Sequence, residues 1–300
     1  TSTFELTEGN YIGTYQRGDF KKSDSDKHDR IDRIWDKAKA DELFQTVQNA
    51  DKAEITETKK RSPQSPGRLY DLTTLQREAN RLHHYPASRT LQIAQSLYER
   101  HKVITYPRTD SKALPEDYAP TCKNLLESIS GELAPYAQKA LQSDWVDEKN
   151  KKIFNNKQIS DHFAIIPTST SPAKLDANER KIYNLITKRF ISVFYPPAQW
   201  DVTTRTSTLA GLDFKTEGRV LVEPSWLAIY GKDNQPEDTL PALSSADNDQ
   251  ANVIKSELEK DQTKPPPRYS EATLLSAMEG AGKLVDDEEL AEALKEKGLG

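Results

Sequence analysis

The sequence predicts an α+β multidomain fold in which a discontinuous β-rich domain carries a mainly helical insertion. Residues 1–65 and 198–262 alternate apolar and polar side chains between turn residues, as strands do. Residues 66–197 instead carry apolar side chains at helical spacings. At 265–275 three prolines precede a helix-start pattern, so we expect residues 263–300 to be the truncated start of a further helical domain.

Within the β-rich part, the alternation predicts strands in residues 1–22 and 53–61 and from 200 onwards. Turn signals near Ala210-Gly211 and Glu217-Gly218 divide the last stretch. Between the first two strands we expect a charged turn and then an amphipathic helix. Its apolar residues are Ile31, Ile34, Trp35, Ala38, Leu43 and Val47.

The helical insertion opens with two helices and a short strand. Thr73 and Gln76 have capping-box spacing at the start of the first helix, which ends before Pro86. A second helix follows over about 88–102, and then the strand-like VITY at 103–106. Helix, turn, helix and strand in this order are typical of a winged-helix-like unit, a shape often used on DNA.

Composition excludes several classes of protein. The 300 residues have a formal net charge of -5, which argues against a simple nucleic-acid coat protein because phosphate binding depends on clustered Lys and Arg. We find no membrane-length apolar run and no leader pattern, and we expect a cytoplasmic protein with no membrane partner. The single cysteine, Cys122, excludes an internal disulfide and a cysteine zinc site.

The stretch ITYPRTDS, residues 104–111, is the first candidate for chemistry. If it continues as a strand, Tyr106 and Arg108 project from the same face. A neutral phenol is a weak nucleophile, so a nearby positive charge would help it, and a guanidinium can also grip two phosphate oxygens. The pair would suit phosphodiester transesterification. The alternative is a packed tyrosine at a proline turn, with Arg108 paired to Asp110.

Two further stretches contain candidate residues. His162, in SDHFAIIPT at 160–168, could donate to a phosphate oxygen or pass a proton to a leaving hydroxyl. Alternatively, it is a partly buried histidine bonded to a backbone carbonyl. Arg268, in PPPRYSEATLL at 265–275, precedes a helix start capped by Ser270 or Thr273, where an anion is favoured. Alternatively, it is an ordinary surface arginine.

No spaced ligand set for a metal ion and no phosphate-binding glycine loop is found. A nucleotide-driven motor is therefore not predicted.

Taken in order, the three stretches, with LYDLTTLQREANR at 69–81, resemble the type IA DNA topoisomerases, and most of all their bacterial topoisomerase III branch. The resemblance implies that Tyr106 attacks a DNA phosphate to give a 5′-phosphotyrosine link while Arg108 steadies that phosphate. It implies that His162 contacts the scissile region and that Arg268 lies on the path of single-stranded DNA. By the same resemblance, the DNA-contacting residues include Thr109, Ser111, Thr168 and Tyr269.

The family fold is a toroid made of a β-rich arch, an inserted helical domain with the tyrosine, and a base. Its members need no ATP, and they relax negative supercoils or decatenate DNA. In the family, magnesium ligands lie in an N-terminal Toprim domain, which has no match here. We therefore expect a fragment that is inactive alone and holds no metal itself.

The resemblance implies DNA, chiefly single-stranded, as the partner. A helicase or a single-strand-binding protein is a further candidate. The main alternative is a non-catalytic winged-helix-like DNA-binding or interaction module in which Tyr106 is structural. A tyrosine recombinase fits less well, because no distributed arginine and histidine set precedes a C-terminal tyrosine.

Overall fold

The chain forms two compact units in a computed structural model that describes residues 1–22, 26, 28–232 and 239–281. The barrel unit comprises Thr1–Gln64, Ala198–Pro224 and 239–266. The helical unit comprises Ser65–Pro197, 225–232 and 267–281. In the described residues, no helix is long and apolar enough to cross a membrane.

The barrel unit is built on a closed antiparallel sheet with the strand order β1-β2-β5-β4-β3-β6. Its strands are β1 (Ser2–Leu6), β2 (Gly9–Tyr15), β3 (Lys52–Gln64), β4 (Ala198–Leu209), β5 (Leu212–Glu223) and β6 (Gln250–Ser256). Aromatic and aliphatic side chains fill the interior, including Phe4, Tyr11, Ile55, Leu209 and Phe214. The expected α+β class is confirmed, and the sheet closes on itself.

The β4–β5 hairpin confirms one turn prediction and corrects the other. Ala210 and Gly211 have φ values of 49° and 80°, which a primed two-residue hairpin turn requires. Glu217 and Gly218 make no turn; they lie inside β5, opposite Thr204 and Thr203. Gly218 was wrongly predicted to mark a turn, because glycine occurs in strand interiors as well as in turns.

The helix between β2 and β3 is shorter than its apolar spacing predicts. Helix α1 covers Lys37–Gln48, so Ile31, Ile34 and Trp35 lie before it. Asp36 ends the extended backbone, because its carboxylate accepts hydrogen bonds from the Ala38 and Lys39 amides and caps the helix.

The helical unit contains six α-helices in its described residues. They are α2 (Leu72–His83), α3 (Ala87–Glu99), α4 (Ala119–Ser128), α5 (Ala134–Gln142), α6 (Ala177–Ser192) and α7 (Glu271–Glu279). Apolar faces of α2, α3 and α6 share one core that includes Leu75, Leu97 and Ile186. A second core joins α4, α5 and the end of α6 around Leu126 and Phe190.

Helix caps explain where α2 and α7 start. Asp71 rather than Thr73 caps α2, since its carboxylate accepts the Thr74 amide at 2.7 Å; the predicted capping box is therefore wrong. Ser270 caps α7 in a capping box with Thr273, which confirms the predicted helix start.

Candidate functional site

Tyr106 lies in an irregular loop after α3 and not in a strand. Ile104 forms an isolated bridge with Pro167, and residues 105–113 then leave regular structure. The predicted strand continuation is therefore wrong, and with it the argument that strand alternation sets Tyr106 beside Arg108. Pro107 supplies no N–H for a sheet ladder, which is consistent with the strand ending here.

This loop is held by side-chain hydroxyls that bond to the main chain of residues 158–168. Thr105 Oγ1 donates to the Ala164 carbonyl and accepts the Ile166 amide, both at 3.0 Å. Thr109 Oγ1 donates to the His162 carbonyl at 2.8 Å. Because these bonds flank Tyr106 on both sides, they fix the main chain on which the phenol stands.

Ser111 extends the same connection further along the loop. Its hydroxyl donates to the Gln158 carbonyl at 2.7 Å, and its amide donates to Thr109 Oγ1 at 3.1 Å. The side chains of Thr109 and Ser111 are buried. Both hydroxyls are thus engaged inside the protein, and the geometry gives these two residues a role in holding the loop.

The residues just before the loop are fixed by a buried carboxylate on α6. Glu179 accepts hydrogen bonds from Ser96 Oγ at 2.7 Å and from His101 Nε2 at 3.1 Å. Burial alone would raise the pKa of Glu179. Hydrogen bonds from the Asp176 amide, Ser96 and His101 outweigh burial and lower the pKa. The ionised carboxylate therefore ties the end of α3 to α6.

The turn into the loop is at Lys102, whose φ of 57° lies in the left-handed region. Thr168 Oγ1 donates to the Lys102 carbonyl at 2.6 Å, and the Thr168 amide donates to the Val103 carbonyl at 2.9 Å. Thr168, a predicted DNA contact, therefore also stabilises this turn.

The Tyr106 ring is partly buried between two other rings. The imidazole of His162 lies with its centroid 4.4 Å away, tilted by 48°. The ring of Tyr98, on α3, meets it edge-on at 5.4 Å. Among the residues that the structure describes, neither the Tyr106 hydroxyl nor the exposed His162 ring has a hydrogen-bond partner, so the predicted alternative of a buried His162 is wrong.

Arg108 is exposed, and its neighbour is neutral. The Gln95 amide is assigned with its oxygen toward the guanidinium, because the reverse orientation would set N–H donors against N–H donors; that oxygen then accepts from Nε at 3.3 Å and from Nη2 at 3.0 Å. The ion pair with Asp110 does not form; Asp110 instead accepts from Ser160 Oγ at 3.0 Å. The structure thus brings Tyr106 and His162 together, and within the described part of the chain no carboxylate pairs with Arg108.

Arg268 and Tyr269 lie in an exposed segment just before α7, and Tyr269 is 66 % exposed. Polar contacts attach α7 to α2 and to the Tyr106 loop: Glu279 accepts from Arg77 at 2.9 Å and from Lys112 at 3.1 Å. Lys112 also pairs with Asp71 at 3.1 Å. Among the described residues, Arg268 has no hydrogen-bond or ion-pair partner.

Sequence reasoning missed Tyr98 and Gln95 as parts of this site. Both lie on α3, where the sequence predicts a helix and marks neither residue for function. Nothing in the sequence distinguishes Gln95 from the exposed Gln92 three residues earlier. Only the folded structure of the loop shows that Gln95, and not Gln92, contacts Arg108.

A magnesium site does not fit the residues in place. The described part of the chain contains no group of three or more His, Cys, Asp or Glu side chains that could hold a metal ion. Asp110, in the loop, accepts a hydrogen bond from Ser160, and Asp71 pairs with Lys112, so neither carboxylate is left unpaired.

Comparison with known proteins identifies the family. The sequence model of the DNA topoisomerase family matches residues 10–300. DNA topoisomerase 3 of Bacillus licheniformis is 40% identical over 259 residues, covering 82% of this chain and 35% of that protein. DNA topoisomerase 3 of Bacillus subtilis is 37% identical over 286 residues, covering 91% and 39%. The chain thus spans well under half the length of these relatives.

A solved structure supports the fold. Full-length topoisomerase I of Thermotoga maritima superposes with a TM-score of 0.59 and 21% identity, over 89% of this chain and 44% of that one. The family model and the Bacillus relatives confirm the family resemblance drawn from the three motifs. The chain belongs to the type IA DNA topoisomerases, and within them it is similar to topoisomerase III.

Proposed function

We propose that this chain carries the strand-cleaving half-site of a type IA topoisomerase, with Tyr106 as the nucleophile. The phenol oxygen of Tyr106 bonds to a backbone phosphorus of single-stranded DNA and loses its proton. The bond from phosphorus to the 3′-oxygen breaks, and that oxygen takes up a proton. A 5′-phosphotyrosine link results, and attack by the 3′-hydroxyl reverses it after another strand has passed. The link preserves the phosphodiester energy, so no ATP is required.

One observation carries the proposal: on a loop fixed at Thr105 and Thr109, the Tyr106 hydroxyl has no hydrogen-bond partner among the described residues, and the imidazole of His162, likewise unpaired there, lies against its ring. A tyrosine that serves only in packing would need neither a rigidly held loop nor a hydroxyl without a hydrogen-bond partner. His162 is placed to donate to a phosphate oxygen or to pass a proton to the leaving 3′-oxygen. Arg108 would hold the non-bridging oxygens with its planar fork.

DNA contacts along the strand are proposed for Arg268, Tyr269 and Thr168. Arg268 precedes the α7 N-terminus, where helix amides and the dipole favour a phosphate. Tyr269 presents an exposed ring on which a base can stack. Thr109 and Ser111 remain proposed DNA neighbours, and their buried hydroxyls support action through the loop they hold.

Magnesium dependence is proposed for the intact enzyme, with ligands outside this chain. When bound, the ion would neutralise phosphate charge. Because the family's acidic Toprim residues have no match here, we propose that this stretch alone neither cleaves nor relaxes DNA efficiently.

The finer architecture is also proposed: a β-rich arch from 1–65 and 198–262, a winged-helix-like tyrosine domain from 66–197, a helical DNA-binding domain from 263–300, and a toroid containing all three. The fold likeness to the Thermotoga protein supports it. Relaxation or decatenation of DNA, a helicase or single-strand-binding partner, and a cytoplasmic location complete the proposal.

The test uses the full-length enzyme with magnesium and end-labelled single-stranded DNA, quenched with denaturant. A covalent adduct that is lost in Tyr106→Phe and retained in Tyr98→Phe, the neighbouring ring, supports the proposal. An adduct that persists in Tyr106→Phe would place the nucleophile elsewhere. Strand binding without any adduct from the native enzyme would favour the non-catalytic DNA-binding module.

A further inference from the structure

We propose that Gln95 is the positioning residue of Arg108, and that its neutrality keeps the arginine charge available for a DNA phosphate. This inference rests on the proposed function. Its basis is the pair of hydrogen bonds from Arg108 Nε and Nη2 to the Gln95 amide oxygen, at 3.3 and 3.0 Å. A guanidinium presents five N–H donors in a rigid fork. The two hydrogen bonds to Gln95 therefore fix the plane of the Arg108 guanidinium and leave its Nη1 hydrogens free.

Gln95 stands on a rigid support. Its helix, α3, buries Ile93, Ala94 and Leu97 in the core on either side of it in sequence. The side chain is partly buried, whereas Arg108 is exposed. An exposed arginine otherwise samples many rotamers, and ordering it in advance lowers the entropy cost of gripping a phosphate.

The neutral partner of Arg108 contrasts with the carboxylate partner of two other cations in this region. Arg77 and Lys112 share the carboxylate of Glu279, at 2.9 and 3.1 Å. Arg108 has no carboxylate partner among the described residues. A glutamate at position 95 would give it one, and that internal ion pair would neutralise the charge that attracts a phosphate.

The test compares Gln95→Glu, Gln95→Met and the control Gln92→Glu in the full-length enzyme. Gln92 is exposed on the same helix, so its variant adds the same charge to α3 without contacting Arg108. Single-turnover cleavage of a labelled oligonucleotide should fall about tenfold or more in Gln95→Glu. We expect a smaller fall in the cleavage rate in Gln95→Met, because this variant lacks the amide acceptor for Arg108 but leaves the arginine charge unpaired. Gln92→Glu should cleave at the native rate.

Binding of the same oligonucleotide, measured as a function of salt concentration in a Tyr106→Phe background, distinguishes the effect of the Arg108 charge from the effect of its orientation. Loss of one phosphate contact should reduce the slope of log K against log salt by about 0.7 in Gln95→Glu. The Gln95→Met slope should equal the native one. Native cleavage and an unchanged slope in Gln95→Glu would overturn this inference alone, whereas an adduct that survives Tyr106→Phe would overturn the proposed function.

Discussion

Replacing Thr105 by Val removes the hydroxyl that supports the Tyr106 loop while keeping the shape of the side chain. Two buried main-chain groups then lose their partner: the Ala164 carbonyl and the Ile166 amide, each bonded to Thr105 Oγ1 at 3.0 Å. Both residues are 0 % exposed. An unsatisfied buried group costs about 1–3 kcal/mol, so we expect the loss of both bonds to weaken the loop connection by about 2–6 kcal/mol.

Hydrogen exchange is the appropriate assay, because a chain with two units need not unfold in one step. The Ile165 amide, which donates to the Tyr70 carbonyl at 2.8 Å, keeps its own bond in the variant and reports opening of the segment. Since each 1.4 kcal/mol is tenfold, exchange there should accelerate between about 30-fold and about 20,000-fold.

Two controls sharpen the result. Thr105→Ser keeps the hydroxyl and should exchange at close to the native rate. Thr74→Val makes the same chemical change at a buried hydroxyl that has no hydrogen-bond partner, so it should be neutral or stabilising. Native exchange at Ile165 in Thr105→Val would refute the view that this hydroxyl holds the loop.

Three other perturbations test separate parts of the structure. Gly13→Ala should destabilise the barrel unit by about 1–3 kcal/mol, because the new Cβ would lie 2.8 Å from the Phe4 ring. Gly18→Ala, with nothing within 4 Å, should not, and equal melting temperatures of the two variants would contradict this. Glu179→Gln should lower the free energy of unfolding most above pH 4.5. Since the folded pKa is depressed, the difference from native should shrink as the pH falls below that value, and a pH-independent difference would exclude the mechanism. Burial raises the pKa of the Cys122 thiol to about 12, so maleimide should not label it in the native protein at pH 8; rapid labelling would show that the site opens.

The sequence predicted local features better than long-range ones. The Ala210-Gly211 turn and the Ser270 cap depend on residues that are adjacent in sequence, and the structure contains both. Closure of the barrel was not foreseen, because it pairs β1 with β6, whose partners Ser2 and Ser256 lie at distant points of the chain. The apolar–polar pattern within one β-strand carries no information about which distant strand pairs with it.

The candidate site shows the same division. The motif around Tyr106 was recognisable because several stretches matched one family in order. The shape of its loop was not, since hydroxyl bonds to residues far along the chain determine it, as at Thr109 and Ser111. The Gln95 contact with Arg108 was missed for the same reason.

The most direct measurement of the central claim is the position of the nucleotide on the protein. Adduct from the full-length enzyme is digested with trypsin and nuclease and analysed by mass spectrometry. Cleavage after Lys102 and Arg108 isolates Tyr106, while Tyr98 falls in the separate peptide 90–100. We predict a nucleotide linked through its 5′-phosphate to the peptide that contains Tyr106. A nucleotide on the Tyr98 peptide, or on any other, would contradict the account.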